Sequence, residues 1–231
     1  MRKATNPELR TRGRWVVRAH AALLEQHGPQ DWWPAEDRFE VMVGAILTQN
    51  TAWTNVEKAI ANLKGADMLR ADAIVQAAPD VLAQLIRPSG YFNLKARRLA
   101  CFCDWYVCAG GYRKLRYWST QLLRKALLGV HGVGPETADD ILLYAFHRQV
   151  FVIDAYTRRI FARLGTIRGD ESYEELRAAF EHQLAGGTRG FAQFHALIVR
   201  HGKDVCRPAP RCGACCLNAT CRFYRHRHQP V

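Results

Sequence analysis

The chain has 231 residues, enough to bury a sizeable core in one large domain or two small ones. Lysine and arginine number 33 against 21 aspartates and glutamates, a formal charge of +12, and such an excess in a well-patterned sequence points to a polyanionic partner, with nucleic acid the default. No apolar run approaches the roughly 18 residues that a membrane-spanning helix needs, which argues against a membrane protein.

Met1 to Arg12 is mostly charged and polar, without the apolar core of a secretory leader, so a reducing, cytoplasmic setting is expected. Trp15 to Gln26 reads as the first helix, ended by Gly28-Pro29. Phe39, Met42, Val43, Ile46 and Leu47 then recur at the spacing that gathers apolar side chains on one helix face, which predicts a helix from about Phe39. Further helices are read at Leu82 to Ile86, Leu94 to Val107, Ser119 to Leu128, Thr137 to Phe146, Tyr156 to Leu164, Tyr173 to Leu184 and Phe191 to His201. Turn residues punctuate them at Pro88-Ser89-Gly90, Gly110-Gly111, Gly132 to Pro135 and Gly186-Gly187. The run Val150 to Ile153 is too brief to found a sheet, and the fold class is all-α.

Near the C-terminus Cys206, Cys212, Cys215 and Cys221 are spaced Cys-x5-Cys-x2-Cys-x5-Cys. Thiolates are soft donors, and four so close together fit a tetrahedral zinc or an iron–sulfur cluster. The absence of a distant Cys-x2-Cys pair and the loop-forming Arg-Pro-Ala-Pro-Arg insert favour the cluster over a zinc ribbon. Disulfides are the competing reading. Cys216, next to Cys215, leaves the third ligand open. Cys101, Cys103 and Cys108 lie on an apolar helical stretch and read as small core residues.

His131-Gly132-Val133-Gly134-Pro135-Glu136-Thr137-Ala138 forms a Gly-x-Gly turn between two helical stretches, and glycines there let a phosphate approach the backbone closely. A plain helix–helix turn would look similar. The string is followed, however, by Val152-Ile153-Asp154-Ala155-Tyr156-Thr157-Arg158-Arg159 and then by the four cysteines. Together these resemble the endonuclease III superfamily of DNA base-excision glycosylases, in which a helix-hairpin-helix precedes an essential Asp. The similarity runs from about Phe39 to Cys221, with one residue fewer between the first two cysteines than the family pattern has.

The resemblance implies a two-lobed protein: a six-helix barrel over 39–150 carrying the hairpin, and a lobe of 1–38 with 151–231 holding a [4Fe-4S] cluster in the loop 206–221, the active site lying in the cleft between them. It places the catalytic carboxylate at Asp154, which could also serve as a helix N-cap. Gly132, Val133, Gly134 and Thr137 would grip the DNA backbone. The hairpin lysine that gives some members a strand-cutting Schiff base is Glu136 here, which implies base removal by water without an efficient lyase step; Lys125 and Lys203 are the other amines to consider. Gly44-Ala45-Ile46 offers no acid where the adenine-mismatch branch has its glutamate.

Trp32-Trp33-Pro34, Trp53, Arg87 to Lys95 and His201-Gly202-Lys203 resemble the 3-methyladenine glycosylase branch. There the aromatics sandwich a flipped base, and the lysine corresponding to Lys203 reaches the pocket; by composition alone two adjacent tryptophans are more often core anchors. Gln49 and Asn50 match the polar wedge that fills the gap left by an extruded base, or are simply a loop after a helix, with Tyr91 or Phe92 wedging from the other side. Lys95, Arg97 and Arg98 read as a phosphate track or as one solvated face. The expectation is therefore a monomeric, monofunctional glycosylase acting on damaged bases, alkylated purines foremost, in double-stranded DNA. A bifunctional enzyme for oxidised pyrimidines and a non-catalytic binder of damaged DNA are the alternatives.

Overall fold

A computed structural model describes residues 14–30 and 35–227. Trp32, Trp33 and Pro34, expected to wall the base pocket, lie outside the described residues. Every regular element among those described is helical, and no helix is long and apolar enough to cross a membrane. The chain divides into two units, one formed by 14–30 with 149–227 and the other by 35–148.

The first unit opens with α1 (Trp15–His27). The chain then passes through the second unit as α2 (Arg38–Leu47), α3 (Trp53–Gly65), α4 (Ala71–Gln76), α5 (Pro79–Leu85), a 3-10 turn at Arg87–Ser89, α6 (Phe92–Cys108), α7 (Gly111–Leu115), α8 (Thr120–Leu128) and α9 (Pro135–Asp140). It returns to the first unit as α10 (Ala155–Leu164), α11 (Tyr173–Gln183), α12 (Gly187–Asp204) and α13 (Arg222–Arg227), with short 3-10 turns at Cys212–Ala214 and Asn218–Thr220.

The apolar face read from Phe39 onward becomes α2, whose Met42, Val43, Ile46 and Leu47 are fully buried. Helix α3 was not anticipated. Its Val56, Ala59, Ile60 and Leu63 carry the helical spacing and are all buried, so the signal is present in the sequence. The helix expected over Thr137 to Phe146 is α9 followed by a π-helical turn, Ile141–Ala145. All five residues of that turn are buried, and the wider π turn lets consecutive side chains enter the core where a regular helix would turn some of them outward.

The 35–148 unit also buries one strong ion pair. Arg124 donates from Nε and Nη2 to Asp139 at 2.7 and 3.0 Å, clamping α8 to α9 across the hairpin, and the Asp139 side chain is wholly inaccessible.

The core of the other unit is a cluster of rings. Phe180 of α11 stacks on Phe151 with 4.9 Å between centroids and meets Phe161 and Trp15 edge-on at 4.9 and 5.1 Å. Trp15 thereby joins α1 to helices that follow it by well over a hundred positions, and each such ring pair adds about 0.5–1.5 kcal/mol beyond its burial. The extended run Val150 to Ile153 pairs with no strand. Its amides are satisfied by side chains instead: Phe151 donates to Glu181 at 2.9 Å and Ile153 to the Tyr173 hydroxyl at 3.3 Å.

Removing one half of the buried pair should expose its cost. Asp139→Ala takes both of these acceptors from Arg124 and is expected to lower unfolding stability by about 3 kcal/mol, whereas replacing Arg124 and Asp139 together by methionine and leucine should recover most of the loss; urea denaturation of the three proteins checks this.

Candidate functional site

Asp154 ends the extended run and starts α10. Its backbone is extended, and its Oδ1 accepts from both the amide and the hydroxyl of Thr157 at 2.7 Å each, an N-cap bond doubled by the side chain. The other oxygen, Oδ2, lies 3.6 Å from Nε2 of His195 on α12. Only 8% of Asp154 is exposed. Burial on its own would raise its pKa, but the His195 contact and the two Thr157 donors outweigh it and hold the carboxyl below its usual value. A charge is therefore kept ready in a site that is nearly dry, where it can stabilise a developing cation far better than it could in water.

His195 was not picked out from the sequence. It sits in Phe194-His195-Ala196-Leu197, and a histidine inside an apolar helical stripe reads as core; its pairing with Asp154, far earlier in the chain, is a tertiary fact.

The His201-Gly202-Lys203 string divides its work. His201 is fully buried, with Nδ1 3.0 Å from Nε2 of His27 on α1 and Nε2 3.3 Å from Cys215 Sγ. Burial and the neighbouring His27 hold its pKa down to about 4, so the ring is neutral. Gly202 lets α12 approach α10, since a Cβ there would stand 2.4 Å from the Tyr156 ring. Lys203 is exposed on the last turn of α12.

Cys206, Cys212, Cys215 and Cys221 line one cavity with Val205, Pro210 and Phe223, about 280 Å³ of empty space that is partly open to solvent. Burial pushes the Cys215 thiol up to about 11, so without a cation the thiolate is disfavoured there. Arg163 donates to Cys206 Sγ at 3.4 Å, the sort of contact that stabilises a metal-bound sulfur. Among the described residues no three Cys, His, Asp or Glu side chains converge as the ligands of one ion would. Four thiols around one cavity are soft donors of the kind that zinc or an iron–sulfur cluster takes. Cys216 does not line the cavity: it is exposed, and its amide donates to Gln26 Oε1 at 3.1 Å.

In the 35–148 unit the hairpin runs from α8 to α9. Gly132 has φ +86° and Gly134 is extended, with Pro135 opening the helix. Val133 and Thr137 turn inward, 6% and 5% exposed, and the Val133 amide donates to Val130, so neither side chain is presented to a phosphate and what the turn offers is backbone at its glycines. Glu136 and Asn50 are exposed, as is Tyr91, while Phe92 is half-buried with Arg87 over its ring at 5.9 Å. Trp53 stands at the start of α3, half-buried, and donates its indole N–H to Glu57 at 2.9 Å.

One expectation needs correction. Lys95 is 1% exposed and donates to the carbonyls of Leu47 and Ser89 at 2.8 and 2.7 Å, so its ammonium is spent inside the protein and touches no phosphate. Burial and the charge of Arg98 lower its pKa to about 8. Gln49 is engaged too: Nε2 donates to the Gly132 carbonyl and to the Thr137 hydroxyl, both at 3.0 Å, and Oε1 accepts from Arg98. Arg97 is exposed on the same helix.

A carboxyl held below its usual pKa contributes stability that is complete above the ordinary value near 3.8 and is lost as the pH falls through the folded value. The stability gap between wild type and Asp154→Asn should accordingly be widest near neutrality and close as the pH drops below 3.8. His195→Phe removes an influence that lowers the Asp154 pKa, so the acid limb of the pH–rate profile should move to higher pH, while unchanged acid limbs in the variant would separate His195 from the chemistry.

Comparison with known proteins gives a single answer. The pattern of the HhH-GPD superfamily base excision DNA repair proteins matches residues 43–185. A protein of Methanocaldococcus jannaschii named "Putative DNA repair glycosylase" is 46% identical over 89% of this chain and 95% of its own. Endonuclease III of Thermotoga maritima is 30% identical over 83% of this chain and 85% of its own. Among solved structures, the 3-methyladenine DNA glycosylase of H. pylori bound to 1,N6-ethenoadenine is 31% identical, with a TM-score of 0.71 over 81% of this chain and 96% of that one. An endonuclease III–DNA complex shares the fold, with a TM-score of 0.79 at 20% identity over 92% and 96% of the two chains. This chain therefore belongs to the HhH-GPD superfamily of base-excision DNA repair glycosylases.

Proposed function

We propose that the chain releases alkylated purines from double-stranded DNA by hydrolysis alone, with Asp154 as the catalytic carboxylate. The observation that carries the monofunctional part is Glu136: the hairpin position that would hold a Schiff-base lysine holds a carboxylate, which cannot be that nucleophile. The substrate class is supported by the 31% identity to a 3-methyladenine glycosylase across most of both chains. It is also supported by chemistry. An alkylated purine is cationic and already a good leaving group, so a site with one buried carboxylate is sufficient, and an indole face such as that of Trp53, with Trp32 and Trp33, attracts it by about 0.5–2 kcal/mol.

The reaction is a displacement at the anomeric carbon. As the glycosidic bond lengthens, the bonding pair leaves with the base, which departs neutral, and positive charge gathers on the sugar. Asp154, held ionised by Thr157 and His195, stabilises that charge and takes a proton from the incoming water. The base must first be extruded at a cost of roughly a few kcal/mol, and Asn50, Tyr91 and Phe92 are the side chains assigned to fill the space it leaves, while Gly132 and Gly134 receive the phosphate backbone. Lys203, exposed beside buried His201, is assigned to the pocket rim.

The four cavity-lining cysteines are assigned to a [4Fe-4S] cluster, with Cys215 in preference to Cys216 because Cys215 lines the cavity and Cys216 does not. When bound, the cluster would cross-link four points of the 206–221 segment. His201 and Arg163, each against a ligand sulfur, would orient those sulfurs. A second reading, a bifunctional enzyme for oxidised pyrimidines, draws on the 30% identity to endonuclease III and would need an amine outside the hairpin, Lys203 or Lys125.

The purified protein should be brown, and Cys212→Ser should lose colour and solubility together while Cys216→Ser keeps both; a colourless protein containing one zinc would reject the cluster. On duplexes carrying 3-methyladenine, 7-methylguanine, uracil, thymine glycol or an abasic site, base release is expected from the methylated purines, strands should break only after added alkali, and borohydride should trap no covalent adduct. Efficient trapping by the wild type would move the assignment to the bifunctional reading.

A further inference from the structure

Three segments of the 35–148 unit are fastened together by one face of α6. Lys95 reaches from that helix to the carbonyl of Leu47, where α2 ends, and to the carbonyl of Ser89 in the 3-10 turn. Three residues past Leu47 stands Asn50, at φ +53°, and two past Ser89 stands Tyr91, at φ +46° and 71% exposed. Both are non-glycine residues in the left-handed region, which asparagine visits readily and tyrosine seldom. The buried amine ties down the backbone just ahead of both.

One turn further along α6, Arg98 donates to Gln49 Oε1, and Gln49 passes the connection on by donating to Gly132 and Thr137 of the hairpin. The aliphatic stem of Arg98 closes the ring, lying where a Cβ on Gly132 would be 2.2 Å from its Cγ. Gly132 is thus fixed twice, by its φ of +86° and by this contact. The chain of contacts runs from α6 to the Asn50 loop, across Gln49 to the hairpin, and back to α6.

We propose that Lys95, Arg98 and Gln49 are positioning residues that lock the Asn50 loop, the Tyr91 turn and the hairpin into a single DNA-reading surface, so that seating the phosphate backbone on the hairpin fixes where the two intruding side chains stand. This rests on the reading of those three segments as facing DNA and adds the device that couples them. An ammonium suits the task better than an apolar residue because the two carbonyls it meets end helical segments and lack partners within them. Arginine at 95 would need room for a planar fork that a fully packed site does not have.

Amide hydrogen exchange of the full chain tests the coupling without depending on which base is released. The probe is a duplex carrying one tetrahydrofuran abasic analogue, compared with the free protein. In the wild type, the amides of 48–51, 89–92 and 131–137 should slow together, by about tenfold. Lys95→Met should keep the slowing in 131–137 and lose it in both 48–51 and 89–92. Gln49→Met should keep it in 131–137 and 89–92 and lose it in 48–51 only, and this partly exposed position carries the test should Lys95→Met fail to fold. A general loss of stability cannot produce two different patterns, so uniform loss across all three segments would overturn the proposal. Undiminished slowing in both variants would overturn the coupling and leave the DNA-facing reading intact. No slowing of any segment in the wild type would remove that reading and the coupling with it.

Discussion

A helix leaves backbone amides without partners at its start and carbonyls without partners at its end, and a protein built of helices must answer that demand many times over. In this chain several of the answers are long polar side chains reaching across the fold. Asp154 satisfies the first turn of α10 with the same carboxylate that is to face the sugar. Lys95 takes the carbonyl at the end of α2 and another from the 3-10 turn. Gln49 takes a hairpin carbonyl, and Gln26 holds the cysteine-rich segment at both Ala214 and Cys216. Of these side chains Asp154 is the one proposed for the chemistry, so a substitution there would act on the helix start as well.

The fold class and most helices could be read directly, because the apolar spacing in α2, α6 and α12 is strong and the turn residues between them are plain. Asp154 was legible for the same reason: an aspartate three residues ahead of Thr157 at a helix start is a cap before it is anything else. His195 was not legible, since nothing local separates a histidine that meets a carboxylate from one that fills a core. The choice between Cys215 and Cys216 is likewise spatial, as the two differ by one position in sequence and Cys215 lines the cavity while Cys216 does not.

Lys95 is the more instructive error. Read with Arg97 and Arg98 it belongs to a basic run, and a basic run suggests solvent or phosphate. Yet Lys95, Leu99, Phe102 and Cys103 follow one another at the spacing of a buried stripe, and all four are buried, while Leu94 is 41% exposed. The helical period carried the information, and charge composition masked it. Where a charged residue falls in register with an apolar stripe, the register is the better guide, with the expectation that carbonyls or a counter-ion wait inside.

The two units are not consecutive along the chain. Residues 14–30 form a unit with 149–227, and the intervening 35–148 form the other around their own core. During synthesis the N-terminal helix must therefore wait, with its Trp15 face uncovered, until Phe161 and Phe180 emerge. The 35–148 unit has no such delay, because every ring and aliphatic side chain named in its core is already outside the ribosome. Assembly is thus ordered by topology, and the cysteine-rich segment closes on α1 and α10, both of which precede it.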